Sequence, residues 1–302
     1  AESQEGVAMD RAFLTNRYKS LGGRLIDLQL SKVIRINTLR ITEAECVKRL
    51  TSLDVQLKKI PFLKFGYEVI KSPFSLGAIT ECLLGYYYLQ ESASQLPVQV
   101  LEPIPSDVVL DMAAAPGGKT TQIAQWMDDK GVIIAIEKAN FRIVGLKTNL
   151  ERCGTSNVVV YNTDATKAAD WNIKFDKVLL DAPCSGNYVT DKSWIAKRQP
   201  EHFSKNAQDQ KRLLSAGISV LKRDGILVYS TCSSEPEDNE LIIDWALQNL
   251  PVVLEKVDTI GDPGLTSYQN RRLSPELIKC RRLWPHKTNT QPFFIAKFRR
   301  TE

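Results

Sequence analysis

The segment VVLDMAAAPGGKTTQIAQWM, residues 108–127, decides the fold. It begins with an apolar run, VVLDMA (108–113), passes through a turn rich in small residues, and continues in the helical pattern TTQIAQWM. A strand that feeds a Gly-rich turn at a helix N-terminus is the first unit of a nucleotide-type α/β sheet. Small side chains let a ligand approach the backbone, and the helix start favours a carboxylate or phosphate.

Working outward, the same alternation repeats. GVIIAIE (131–137), VVVYNTD (158–164), KVLLDAP (177–183) and GILVYSTCS (225–233) read as buried strands. FRIVGLKTNLERCG (141–154) has apolar residues at helical spacing and stops on Gly154. PFFIAKF (292–298) reads as a last strand. Near-continuous Val/Ile/Leu runs separated by helices are what a parallel sheet covered on both faces requires. The fold class expected is α/β, a Rossmann-like sheet over 106–302.

Residues 1–105 follow another pattern. VIRINTL (33–39) and VQLKKI (55–60) read as strands around a helix. Thr42 with Glu45 forms a capping box for it, with Val47 and Leu50 facing inward. This suits a small α+β unit of the ferredoxin or RRM kind. Residues 75–105 are expected to bridge the two parts by a helix and a loop containing Pro97, Pro103 and Pro105.

Composition narrows the class. With 302 residues, 43% apolar and 25% charged, the chain is an ordinary globular protein with room for a large domain and a smaller one. It has no apolar run of membrane-spanning length, so no membrane is expected. The opening AESQEGVAMD lacks a basic-then-apolar pattern, and a cytoplasmic location is expected. The six cysteines form no C-x-x-C pair and have only His202 and His286 beside them, so no metal is expected. No obligate protein partner is evident. Between Thr266 and Glu302, nine Lys or Arg face two Glu, 9 − 2 = +7, more than the net +5 of the whole chain. Such a tract is either a solvated face or a phosphate-contacting surface.

The ligand of the first turn follows from its flanks. Ala113, Ala114, Ala115, Pro116, Gly117, Gly118 and Lys119 make the turn. Glu137 ends the next strand, where an acidic side chain grips ribose hydroxyls in this fold. Nicotinamide dinucleotide and S-adenosylmethionine are both admissible at this point. Pro116 departs from G-x-G-x-x-G, and Asp164 caps the third strand where an adenine amino group could bind. Both features favour S-adenosylmethionine.

Two further segments carry the chemistry. Asp181-Ala182-Pro183-Cys184-Ser185-Gly186 follows the fourth strand, and Ser230-Thr231-Cys232-Ser233 follows the fifth. In an open parallel sheet both strand ends project into the cofactor crevice. Two thiols and a carboxylate beside a methyl donor suit cytosine C5, a poor nucleophile. A thiolate adding to C6 puts electron density on C5. Asp181 would meet the N3/N4 edge of the base, and the second thiol would assist release.

The sequence resembles the Sun-type (Fmu-like) RNA 5-methylcytosine methyltransferases, in particular their small archaeal tRNA cytosine-C5 members. The resemblance runs from RINTLR (35–40) and YLQESAS (88–94) through DMAAAPGGKT, DAPCSG and YSTCS to PFFIAKF. It implies that Cys232 is the nucleophile and Cys184 the release cysteine, the reverse of the DNA enzymes, which attack with the Pro-Cys thiol. It also implies that residues 113–119, Glu137, Asp164 and Asp181 line the cofactor and base site, and Arg142 fits a cofactor-contact position. The partner implied is RNA, tRNA ahead of rRNA. Ala113 and Pro292 stand where the family often has Cys and usually Gly. Competing readings are a methyltransferase acting on DNA or on a base nitrogen, and a non-catalytic RNA-binding assembly factor. D-A-P-C in place of D/N-P-P-Y/F argues against the nitrogen enzymes, and the intact Asp181, Cys184 and Cys232 against the assembly factor.

Overall fold

The computed structural model describes residues 10–199, 203, 204 and 206–302. His202 and the first nine residues lie outside the described set. The small N-terminal sheet comprises β1 (Val33–Ile36), β2 (Gln56–Lys59), β3 (Gly66–Lys71) and β4 (Tyr87–Leu89), with helices α2 (Glu43–Ser52) and α3 (Thr80–Leu83) between them. A further helix, α1 (Arg11–Ser20), precedes this sheet. Its order is β2-β3-β1-β4 with antiparallel neighbours. With one helix after β1 and another before β4, this is the ferredoxin-like arrangement expected. Thr42 caps α2 by accepting from the Glu45 N–H. The inward stripe is Cys46 and Leu50, with Val47 only partly covered.

β1 is buried on both faces because each face has a different cover. Ile34 and Ile36 pack with Cys46, Leu50 and Tyr87. Val33 and Arg35 point the other way, against the larger unit, where Arg35 donates to Gly118 O and Thr121 Oγ1. Strand β3 was hidden within a Pro/Gly-punctuated stretch. It is short and mostly half-exposed, so its apolar pattern is weak.

The larger unit is wound around one sheet. Its elements are α4 (Ser92–Leu101), β5 (Val108–Asp111), α5 (Gly118–Trp126), β6 (Val132–Glu137), α6 (Asn140–Cys153), β7 (Val158–Asn162), β8 (Phe175–Asp181), α7 (Trp194–Lys197), α8 (Ala207–Ser219), β9 (Leu221–Thr231) and α9 (Glu240–Asn249). They are followed by β10 (Val252–Glu255), β11 (Asp262–Pro263), β12 (Ser267–Tyr268), β13 (Arg271–Arg272), β14 (Arg281–Leu283) and β15 (Phe293–Arg300). The strand order is β11-β14-β15-β9-β8-β5-β6-β7, and β10 pairs with the far end of β15. β5 to β9 run parallel, whereas β15 lies antiparallel beside β9. Alternating residues serve the two faces. Leu110, Val178 and Leu180 pack under Leu214, Ile242 and Ile243 of α8 and α9. Val109, Leu179 and Val228 pack with Leu96, Ile123 and Ala124 of α4 and α5. The bridging helix α4 is thus part of the sheet's cover, with Pro97 inside it. No helix among the described residues is long and apolar enough to cross a membrane.

Helix α1 had no sequence reading. Asp10 caps it by accepting from the Phe13 N–H at 2.7 Å. Its Leu14 and Tyr18 are buried against Tyr188, Trp194, Phe203 and Trp284, so it packs on the larger unit.

Candidate active site

β5 sits between β6 and β8, where the winding reverses, and the crevice beyond the strand ends is the expected ligand position of such a sheet. A cavity of about 460 Å³ opens there, within the roughly 300–1,000 Å³ typical of small-molecule sites. Ala113, Ala115, Glu137, Arg142, Asp164, Asp181, Cys184 and Cys232 line it, together with Lys138, Asp209 and Arg212. Ala114, Pro116, Gly118 and Lys119 line instead an adjoining recess of about 230 Å³, against Tyr88, Gln90, Glu91 and Ser94. Ala113, Ala115 and Asp181 form the wall shared by the two. Gly117 lines neither. It caps α5 with φ +105°, and a Cβ there would come within 3.2 Å of Leu146, so it serves the turn itself.

The sugar-side carboxylates are held from several directions. Glu137 is buried, accepts from the Ala139 N–H at 2.8 Å, and pairs with Arg142 at 3.1 Å. Arg142 also donates to Ala115 O at 2.6 Å, tying the turn to the end of β6. Asp164 pairs with Lys138 at 2.9 Å and accepts from the Thr166 N–H and hydroxyl. The Lys138 ammonium, followed by the Thr166 donors, holds its carboxyl well below the usual range. Two carboxyl groups held in place along the cavity wall can accept hydrogen bonds from hydroxyl or amino groups.

At the other end lie the thiols. Cys184 Sγ and Cys232 Sγ are 3.4 Å apart, within hydrogen-bond reach for sulfur. They are only partly buried, whereas Cys46, Cys82, Cys153 and Cys280 are buried packing residues. The hydrogen bond from Cys184 holds the Cys232 thiol below its ordinary value, and Lys119 adds to this against burial and Asp181. The same bond, with burial, pushes Cys184 up. The two thiols titrate as a pair in which Cys232 gives up its proton more readily than Cys184.

Asp181 is fixed on both oxygens, by Lys119 at 2.6 Å and by the Ser230 hydroxyl at 2.7 Å. Lys119 thus reaches toward the reacting end of the site from the cofactor turn. Ser230 was read as part of the Ser-Thr-Cys-Ser segment, with no role of its own. Its signal was its place two residues before Cys232, on the same pleat face. Buried supports also went unread. Asn187 donates to Cys232 O, and Asp238 accepts from the Ser185 N–H. Arg17 and Tyr18 of α1 bind Glu235 in the segment after Cys232. These contacts join residues far apart in sequence and carry no local pattern.

The basic C-terminal tract is largely committed to internal pairing. Arg282 is buried on Glu240. Arg271 pairs with Asp244, Lys279 with Glu276, Lys287 with Asp262, Lys297 with Glu102, and Arg299 with Glu255. Arg281 and Arg300 donate to backbone carbonyls. Of the two readings of the tract, a solvated face and a phosphate-contacting surface, the structure adds that most of its cations already hold internal partners.

The model of one family, described as 16S rRNA methyltransferase RsmB/F, matches residues 98–299. The chain is 40% identical over 238 residues to the tRNA (cytosine(72)-C(5))-methyltransferase of Pyrococcus horikoshii, covering 78% of this chain but 58% of that protein. It is 38% identical to the tRNA (cytosine(49)-C(5))-methyltransferase of Pyrococcus abyssi, covering 88% of this chain and 87% of that one. Among solved structures, NSun6 from Pyrococcus horikoshii with SFG, an S-adenosylmethionine analogue, superposes with a TM-score of 0.82 at 29% identity. That match covers 91% of this chain and 92% of the other.

Proposed function

Because the chain belongs to the 16S rRNA methyltransferase RsmB/F family, we propose that it transfers a methyl group from S-adenosylmethionine to C5 of a cytosine in RNA. The thiol pair carries this reading. Two sulfurs 3.4 Å apart, beside a carboxylate fixed on both oxygens, open into the cavity whose far end holds Glu137 and Asp164.

Glu137 and Asp164 would hold the ribose and adenine of the methyl donor, with Ala113, Ala115 and Arg142 as its walls. The turn from Ala114 to Lys119 would hold its amino-acid end. S-adenosylmethionine supplies an electrophilic methyl group for C5. The Cys232 thiolate forms the S–C6 bond to an extruded cytosine, and the C5–C6 π electrons move toward C5 and N3. Asp181, oriented by Lys119 and Ser230, binds the N3/N4 edge. C5 then bonds to the donated methyl group as that group's bond to the sulfonium sulfur breaks, which leaves S-adenosylhomocysteine. The C5 proton passes to solvent, its bonding electrons re-form the C5–C6 double bond, and the S–C6 bond breaks, returning the thiolate. The Cys184 S–H lies within reach of the departing sulfur and assists that release. Both thiols must stay reduced, which suits a cytoplasmic setting.

Within this reading, residues 1–105 serve RNA binding and 106–302 catalysis. The substrate is tRNA, supported by the near end-to-end match to the Pyrococcus abyssi tRNA enzyme. The test is methylation of tRNA and rRNA transcripts by wild type and Cys232→Ala, mapped by bisulfite sequencing, with trapping on 5-fluorocytosine RNA. Wild type should produce 5-methylcytosine and a trapped adduct on tRNA, and Cys232→Ala neither. Methylation confined to rRNA would overturn the tRNA assignment. Undiminished activity in Cys232→Ala would overturn the mechanism.

A further inference from the structure

Two adjacent residues at the start of α9 grip the backbone on either side of both cysteines. The Asp238 carboxylate accepts from the Ser185 N–H at 3.0 Å, immediately after Cys184. Its other oxygen accepts from Gln210 Nε2 at 2.8 Å, and that same amide donates to Pro183 O at 2.8 Å, immediately before Cys184. The neighbouring Asn239 does the equivalent for Cys232. Its Oδ1 accepts from the Thr231 hydroxyl and its Nδ2 donates to Ser233 O at 2.9 Å. Asp238, Asn239 and Gln210 are all essentially fully buried. Tyr229, from β9 itself, fixes the pair by donating from its phenol to Asp238 O at 2.6 Å.

We propose that Asp238 and Asn239, with Gln210, are positioning residues that set the Cys184–Cys232 spacing. This goes beyond the proposed reaction and rests on it only for the consequence to turnover. The two thiol segments leave neighbouring strands, β8 and β9, and nothing in the sheet register alone dictates how far apart the sulfurs stand. A rigid dipeptide whose two side chains together grip both segments, Asp238 reaching Ser233 as well as Ser185, supplies that constraint. It is preorganisation by a supporting shell, of the kind that fixes reacting groups to within about 0.5 Å. The carboxylate has a second effect. The charged groups facing the thiols are Lys119, Asp181 and Asp238. Lys119 favours the thiolate on Cys232, while the buried Asp238 disfavours negative charge on Cys184.

The spacing can be read without methyl transfer, by bridging the two thiols with dibromobimane, which becomes fluorescent when both bromomethyl groups are displaced. Wild type should bridge, and Cys184→Ala is the blank. Asn239→Ala should bridge at least several-fold more slowly. Gln210→Met, which keeps the volume in α8 and removes the shared donor, should slow it to a lesser degree. In both variants kcat should fall while KM for S-adenosylmethionine stays unchanged. Asp238→Asn should also move the pH profile of iodoacetamide labelling at Cys184 downward, a shift that simple loosening does not produce. Wild-type bridging rates in Gln210→Met and in folded Asn239→Ala would overturn the proposal. So would an unchanged Cys184 profile in Asp238→Asn. Failure of wild type to methylate RNA would leave the bridging result intact, so the two failures are distinguishable.

Discussion

The strand ends of β5 to β9 and the basic stretch from Thr266 to Glu302 both invite a functional reading, yet they use their polar groups in opposite ways. At the strand ends, acids and thiols are braced by neighbours but still face a cavity. Glu137, Asp164 and Asp181 each keep a hydrogen-bonded position and line the 460 Å³ space. Along the basic stretch, the cations close onto carboxylates of α9, β10 and adjacent turns. Arg282 is the extreme case, a guanidinium buried on Glu240 and stacked over Trp284. Charge counted along a sequence therefore does not reveal whether the charge is available. A motif at a strand end is better evidence, because the topology dictates what it faces.

The contrast breaks most sharply at the thiols. Cys184→Ala should cut turnover by about 10³-fold or more, as expected when a member of a cooperating catalytic group is removed, and leave a protein–RNA adduct on denaturing gels. The same variant removes the hydrogen bond that keeps Cys232 below its ordinary value. Because the thiolate is the reacting form, alkylation of Cys232 should then need higher pH than in wild type. A wild-type turnover and profile would reduce Cys184 to packing and make the strand ends resemble the rest of the chain. Next in size is Arg282→Ala. Removing one partner of a buried ion pair leaves Glu240 uncompensated, so unfolding in urea should show a loss of about 3–5 kcal/mol. A loss under about 1 kcal/mol would mean that the pair is not a structural tie.

The sequence disclosed the parallel strands because each is a run of Val, Ile and Leu bounded by a turn, and their order places Asp181, Cys184 and Cys232 together. It disclosed the ferredoxin-like sheet only partly, since β4 has three residues and β3 is mostly half-exposed. β10 and β14, of four and three residues, were missed because runs that short carry little pattern. Gly117 shapes the turn with its positive φ, and Lys119 lines the recess beside the turn while its ammonium binds Asp181, a second contact that the sequence did not disclose. Helix α1, Asp238 and Asn239 were unreadable because their partners are set by tertiary packing. Arg17 meets Glu235 across 218 positions. No periodicity reports a contact of that kind.

The smallest effect tests the tract itself. Each phosphate contact made by a cation contributes roughly 0.7–0.9 to the slope of log Kobs against log salt. Arg271 is paired with Asp244 at 3.0 Å, while its neighbour Arg272 is exposed and forms no ion pair among the described residues. Of these two, Arg272 alone can meet RNA without first giving up a carboxylate. Changing both to Ala should lower the slope of RNA binding by no more than about 1, with Arg272→Ala alone accounting for the change. A drop near 2 would show Arg271 leaving Asp244 for a phosphate. The ion pairs of this stretch would then be a resting arrangement exchanged on RNA binding, and the contrast with the strand ends would become one of state rather than of kind.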